Sequence, residues 1–287
     1  MAKGRELKGR IKTVENTRKI TRTMEMVATS KMKRAQDRVV AARPFANSLT
    51  EVIANLYTPE LAERFPLLRQ PATIRKAAII LLTSNRGLAG AFNANLIKEA
   101  RALLGRLKEQ NTEAELHVVG KKGLGYFRYV GRAIASNRID ITDRPTAENA
   151  AELVDSLIDR FASGEIDAVH VVYAKFNSAL STPPSTLTIL PVTPPERTGP
   201  QPDYILLPSA EAILTQLLPS YVRNSVYRAL VETAAGEQGA RRTAMKNATD
   251  NAGDMLNVLR RTFNRARQAQ ITQEIAEIVG GAAALQG

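Results

Sequence analysis

The chain has 287 residues, a formal net charge of +12, no cysteine and two histidines. The lack of cysteine excludes disulfides, thiol nucleophiles and Cys-based zinc sites. The positive charge implies an acidic partner, whether nucleic acid, anionic headgroups or a protein surface. Few aromatics, no Trp and abundant Ala favour long helices packed at close range.

Residues 1–57 carry apolar positions that step by four and three: Leu7, Ile11, Val14; Ile20, Met24, Val27; then Ala35, Val39, Ala42, Ala46, Leu49, Ile53 and Leu56. That spacing predicts a coiled-coil helix of ~80 Å. The step from Val14 to Ile20 breaks register, and Thr17 and Thr21 fall in the seam, so an irregular supercoil is expected there. Pro44 is expected to bend or interrupt the helix. Basic residues from Lys3 to Arg43 far outnumber Glu6, Glu15, Glu25 and Asp37. Such an excess of one sign exceeds what a merely solvated face needs.

Residues 58–74 form a Pro-rich linker. Over 75–193 the pattern alternates: strands at 77–82, 116–119, 134–135, 168–176 and 187–192, with helices at 92–108, 122–130 and 147–162. That order predicts a small, mostly parallel, Rossmann-like α/β sheet. His117 and His170 sit in apolar runs and read as packed strand residues rather than ligands. The stretch Thr83-Ser-Asn-Arg-Gly-Leu-Ala-Gly-Ala-Phe-Asn93 joins a strand to a helix, where α/β proteins bind phosphates. Its glycine spacing matches neither the Walker loop nor the dinucleotide fingerprint, so a tight turn is expected. Residues 194–208 form a second Pro-rich linker and a loop.

From residue 209 the helical pattern resumes and runs nearly to the end, with Ser209 as N-cap. Pro219, Gly236, Gly239 and Gly253 are its weak points. Its later stripe uses Ala244, Ala248, Ala252, Met255, Leu259, Phe263 and Ala266. Unbroken, this helix would span ~110 Å. Neither terminal helix can be covered by the inserted domain, so antiparallel pairing is expected. The fold class is therefore helical plus α/β: a long antiparallel coiled coil of the N- and C-terminal helices with a small α/β domain inserted between them.

The last stretch is apolar where termini usually fray. Ile271, Ile275, Ile278 and Ala282 recur at helical spacing and lead to Ala283, Ala284 and Leu285. Such a tip is costly to leave in water unless something surrounds it. No paired carboxylates, triad or metal motif is evident, so no catalytic, cofactor or metal-binding residue is assigned. No apolar run approaches the ~20 residues of a membrane span. Two further readings stay open: a basic coiled-coil nucleic-acid-binding protein, and a small α/β enzyme using the 87–90 loop. Against the first, no aromatic precedes Phe45 to stack on bases.

Three blocks resemble the γ subunits of F-type ATP synthases, the central rotor shafts. They are the run from Ile11 to Ala35, Thr83-Ser-Asn-Arg-Gly-Leu-Ala-Gly90, and Ala240-Arg-Arg-Thr-Ala-Met245 continuing through Asn264 to Ala284. Within the last, Ile271-Thr-Gln-Glu274, the acidic Glu277 and then Gly281-Ala282 form the family's signature. The family usually has Asp where Asn85 stands. The resemblance implies a non-catalytic rotor subunit without cofactor or small-molecule substrate. Its partners would be the alpha and beta subunits, the epsilon subunit and the c-subunit ring, with the membrane met only through that ring and no nucleic acid bound. It implies a bacterial chain placed peripherally at the cytoplasmic face of the inner membrane. Arg267, Gln268, Thr272 and Glu274, with Ile271, Ile275 and Ile278, match positions that engage the beta subunits. Met24, Lys31, Lys33, Arg43, Tyr204 and Leu207 match rotor and foot contacts. Related bacterial chains often have Glu at the position of Leu207, so a polar contact there does not carry over.

Overall fold

The computed structural model describes residues 2–57, 64–178, 181–193 and 209–284. In chain order these residues form α1 (Ala2–Leu56), a 3-10 turn (Pro66–Leu68), β1 (Lys76–Leu82), α2 (Phe92–Glu109), β2 (Glu113–Val119) and α3 (Lys121–Tyr129). Then come β3 (Ser136–Arg138), α4 (Ala147–Ala162), β4 (Ala168–Ala174), β5 (Pro184–Leu190) and α5 (Ala210–Ala284). Helical ends thus flank a mixed α/β sheet. The chain divides into two compact units, one of Met1–Val27 with Arg242–Gly287 and one of Ala28–Arg241.

In the larger unit the strand order is β3-β2-β1-β4-β5. β1 pairs in parallel with β2 and β4, β2 with β3 likewise, and β5 closes the edge antiparallel to β4. β1 and β4 read as unbroken apolar runs because both of their faces are covered. Ala77, Ile79 and Leu81 face α2 and α3, packing with Phe92, Leu96 and Phe127. Ala78, Ile80 and Leu82 face the other way, toward Leu157 and Phe161 of α4. That second core also takes Leu49, Ile53 and Leu56 of α1 and Leu214, Leu218, Val222 and Val226 of α5. This is why both long helices belong partly to the sheet's unit. α4 starts at a capping box, in which the Thr146 hydroxyl accepts from the Asn149 N–H and Asn149 Oδ1 accepts from the Thr146 N–H. The Ser209 hydroxyl accepts from the Ala212 N–H at 3.2 Å, the expected N-cap of α5.

Several expectations are corrected. α1 runs as one helix through Pro44. Pro44 and Val40, whose carbonyl loses its helical partner, both lie on the exposed side, where water replaces the bond, while Ala46 and Leu49 are buried and hold the backbone in line. α5 likewise continues through Pro219 and all three glycines. β3 lies at Ser136–Arg138 rather than 134–135, and β5 begins at Pro184 rather than Leu187. Both are edge strands, where polar residues and proline leave no ladder bond unmade.

His117 and His170 are strand residues. His117 Nδ1 lies 2.7 Å from Ser136 Oγ and its Nε2 3.1 Å from Glu115 Oε1, while His170 Nδ1 lies 3.0 Å from Thr188 Oγ1. Burial, with the nearby Arg106 charge, pushes the His170 pKa below the usual imidazole range.

Candidate functional site

The smaller unit is a pair of helical segments, and its contacts run antiparallel. Thr21 meets Thr249 at 2.8 Å between hydroxyls, and Glu15 meets Arg260 at 2.6 Å. As the residue number falls on α1, it rises on α5. On α5 the buried seam is Met245, Thr249, Ala252 and Leu256, continued by half-buried Leu259, Phe263 and Ala266. Steps of four and three make this a heptad stripe. On α1 the inward positions are Ile11, Val14, Thr21 and Met24.

This seam differs in part from the expected one. Thr21 is buried in it as expected, but Thr17, Ile20, Val27 and Met255 are exposed, and Leu256 takes the inner place beside Met255. Both apolar stripes on α1 are heptad-spaced and lie one residue apart. The pair selects the one holding Thr21, whose small side chain admits Thr249. The Thr249 hydroxyl also lies 2.8 Å from the Met245 carbonyl oxygen. With one proton each, Thr249 donates to Thr21 while Thr21 donates to the Arg18 carbonyl at 3.1 Å, so neither buried hydroxyl goes unpaired. At Gly253 an added Cβ would lie 3.8 Å from the Arg18 guanidinium carbon. The missing side chain leaves a flat place over which Arg18 lies.

The predicted beta-subunit contacts all lie near the end of α5. Arg267, Gln268, Ile271, Thr272, Glu274, Ile275 and Ile278 are exposed. Gln270 donates to Glu274 at 2.8 Å, Gln273 donates to Glu277 at 2.9 Å, and the Thr272 hydroxyl donates to the Gln268 carbonyl at 3.0 Å. These bonds run along the helix surface and leave the Arg267 guanidinium outward. Ile278 and Val279 are 71% and 62% exposed, so the apolar tip has no cover from the described residues of its own chain.

The predicted rotor contacts are dispersed. Met24 is half-buried in the helix pair. In the larger unit, Lys31 pairs with Asp143 at 2.7 Å, Lys33 pairs with Asp37 one turn on at 3.0 Å, and Arg43 is exposed. Arg38 donates to the Asp143 carbonyl at 3.2 Å. The Lys31 ammonium holds the Asp143 carboxyl below the usual carboxylate range, against the effect of burial. Tyr204 and Leu207 lie outside the described residues.

The glycine-containing loop after β1 is bonded within the protein. The Thr83 hydroxyl donates to the Val119 carbonyl at 2.7 Å and accepts from the Gly123 N–H at 3.0 Å. The Ser84 hydroxyl donates to the Arg86 carbonyl at 2.6 Å, and its N–H donates to Asn93 Oδ1 at 3.0 Å. Asn85 is fully engaged: Oδ1 accepts from the Lys121 N–H at 3.0 Å, and Nδ2 donates to the carbonyls of Ile139 and Ile141 at 3.0 and 2.9 Å. Only the amide in this orientation satisfies all three groups. Asn85→Asp removes both donors and sets a carboxylate against two carbonyl oxygens. It is expected to cost about 1–3 kcal/mol, read as a lowered denaturant midpoint. An unchanged midpoint would show that the loop rearranges freely.

Sequence patterns missed the ties from the helices to these loops. Arg241 of α5 donates to the Gly87 carbonyl at 3.2 Å and pairs with Glu237 at 2.6 Å, both side chains being nearly buried. Burial pushes the Glu237 carboxyl above the usual carboxylate range against the pull of Arg241. No periodicity could have disclosed these bonds, since the loops are remote in sequence. Arg241, coming after twelve helical residues without a basic side chain, was the available signal.

Among the described residues, no helix is long and apolar enough to cross a membrane. The family model described as ATP synthase matches residues 3–285. The ATP synthase gamma chain of Gemmatimonas aurantiaca is 68% identical, over 100% of both chains. That of Desulforamulus reducens is 43% identical, again over 100% of both. Among solved structures, the central stalk and c-ring of the Tetrahymena thermophila mitochondrial ATP synthase matches with a TM-score of 0.62 at 26% identity, covering 80% of this chain and 99% of that one. A chain of the Euglena gracilis mitochondrial ATP synthase in rotational state 3 has a TM-score of 0.70 at 20% identity, covering 99% and 95%, a likeness of fold. The chain belongs to the ATP synthase gamma-chain family, the non-catalytic rotor subunits of that complex's central stalk.

Proposed function

We propose that the paired terminal helices turn inside the alternating alpha and beta subunits of a bacterial F-type ATP synthase, with the tip of α5 running in an apolar sleeve. The observation that carries this is the tip itself. Ile271, Ile275, Ile278 and Val279 are exposed apolar side chains on the end of a helix whose own seam is already filled. Surface of that kind gains by transfer into an apolar collar. Arg267, Gln268, Thr272 and Glu274 sit beside it as the polar grip on beta-subunit loops. ATP chemistry stays in the beta subunits. The shaft acts by contacting their conformations unequally, the one way a partner shifts such an equilibrium. The basic excess along α1 steers this shaft toward acidic surfaces.

The α/β domain (75–193) and the loop that follows it (194–208), with Tyr204 and Leu207, face the epsilon subunit and the c-ring. Lys33 and Arg43 lie exposed on that same part of the rotor, Lys31 works through Asp143, and Met24 opposes α5 within the pair. The helical segments 1–57 and 209–287 form the coiled coil, joined to the domain through 58–74. The chain sits peripherally at the cytoplasmic face of the inner membrane, meeting it only through the c-ring. The nucleic-acid alternative draws no support from the relatives named above.

The chain has no cysteine, so Ile278→Cys gives a single thiol at the tip. It is expected to react rapidly with a maleimide in the isolated subunit and several-fold more slowly in the assembled complex. Equal rates would place the tip outside any sleeve.

A further inference from the structure

The sheet reverses direction of winding between β1 and β4, and the crevice beyond their carboxyl ends is where open α/β sheets hold ligands. Here the protein's own helix fills it. Residues 229–236 of α5 are buried without interruption. Eight consecutive helical residues cover every face of more than two turns, so the segment is enclosed on all sides. Ala35 and Val39 of α1 and Phe176 beyond β4 pack with Val231 and Ala235. Two buried side chains bond the end of β4: Glu232 accepts from the Phe176 N–H at 3.0 Å and Thr233 from the Ala174 N–H at 3.3 Å. A Cβ added to Gly236 would meet the Cβ atoms of Ala174 and Thr182 at 3.2 and 3.3 Å and the Phe92 ring at 3.3 Å. Glycine is there because the helix backbone lies against the strand end. One turn on, Arg241 reaches the Gly87 carbonyl of the adjoining loop.

We propose that this plugged crevice is the joint through which torque passes between the shaft and the α/β domain, with Glu232, Thr233 and Gly236 as its positioning residues. A helix held only by a greasy face can slide or roll against its neighbour. A helix whose side chains accept two strand-end N–H bonds, and whose backbone is notched against the strand, has one register. Taking the α/β domain as the part that meets the c-ring, as proposed above, slip at this joint would let hydrolysis turn the shaft without driving ion transport.

The test uses the assembled, membrane-reconstituted complex and compares ATP hydrolysis with ATP-driven proton pumping. Gly236→Val is expected to keep hydrolysis near the wild-type rate while pumping falls several-fold. Thr233→Val, which removes the acceptor for Ala174, is expected to lower the ratio less, and Thr233→Ser to restore it. A wild-type pumping-to-hydrolysis ratio in Gly236→Val would overturn the proposal. Should Gly236→Val not assemble, Gly236→Ala, which adds the Cβ alone, decides on the same two readouts. A pumping-to-hydrolysis ratio lowered below wild type supports the joint, and a wild-type ratio overturns it. A tip thiol that labels freely in the complex, with the ratio still reduced in Gly236→Val, would instead remove the sleeve and leave the joint standing.

Discussion

Replacing Arg267 and Gln268 together by alanine is expected to lower coupled ATP turnover about tenfold while the unfolding temperature stays at the wild-type value. Both side chains are exposed, and no described residue of this chain pairs with the Arg267 guanidinium. Truncation therefore removes nothing from the fold except helix surface. In the complex the guanidinium fork suits a carboxylate or two carbonyls, which lysine would not match. A tenfold loss corresponds to about 1.4 kcal/mol, more than most interface residues contribute but less than the ~2 kcal/mol of a hot spot. Proton-driven ATP synthesis by the reconstituted complex gives the first quantity and thermal unfolding of the subunit the second. Unchanged synthesis would strike both residues from the contact set. A lowered unfolding temperature would reassign them to folding.

Gly120→Ala is expected to destabilise the larger unit by something on the order of 4 kcal/mol. Gly120 ends β2 with φ of 97°, a conformation that strains any residue with a side chain. An added Cβ would lie 2.2 Å from the Thr83 carbonyl oxygen and 2.7 Å from its hydroxyl. Neither can retreat. The Thr83 N–H and hydroxyl both donate to the Val119 carbonyl, and the Gly120 N–H donates to that of Arg138. The denaturant midpoint should fall at constant slope. Gly125→Ala in α3, where nothing lies within 4 Å of the new Cβ, is the matched control and should hold or raise its midpoint. Equal midpoints in the two variants would mean that the Thr83 loop moves aside, and the knot of bonds around it would lose its structural role.

The elements of the α/β domain were legible wherever both faces or one clear face are covered. β1 and β4 announce themselves as runs such as Ala77-Ala-Ile-Ile-Leu-Leu82, and α4 by its apolar spacing. The edge strands were misplaced by a few residues because Ser136, Asn137 and Pro184 carry turn chemistry that an unpaired edge tolerates. The apolar tip and its polar neighbours were legible as a local pattern, and the structure leaves them exposed as that pattern requires. The partners that would cover them are not legible in this chain's periodicity at all.

Local order and composition, by themselves, determined the alternation of strand and helix, the two long terminal helices, the absence of thiol chemistry and the family. These follow from short-range spacing and from motifs that survive as strings. The pattern placed both Ile20 and Thr21 in the seam of α1, and tertiary structure alone decided that Thr21 faces α5 and Ile20 does not, because the two are one residue apart and only the packing of Thr249 separates them. It also decided that Asn85 bridges two loops and that Glu232, Thr233 and Arg241 seat α5 in the sheet's crevice. Bonds between residues far apart in the chain leave no period behind. They exist only once the hydrophobic layers have brought those residues within reach.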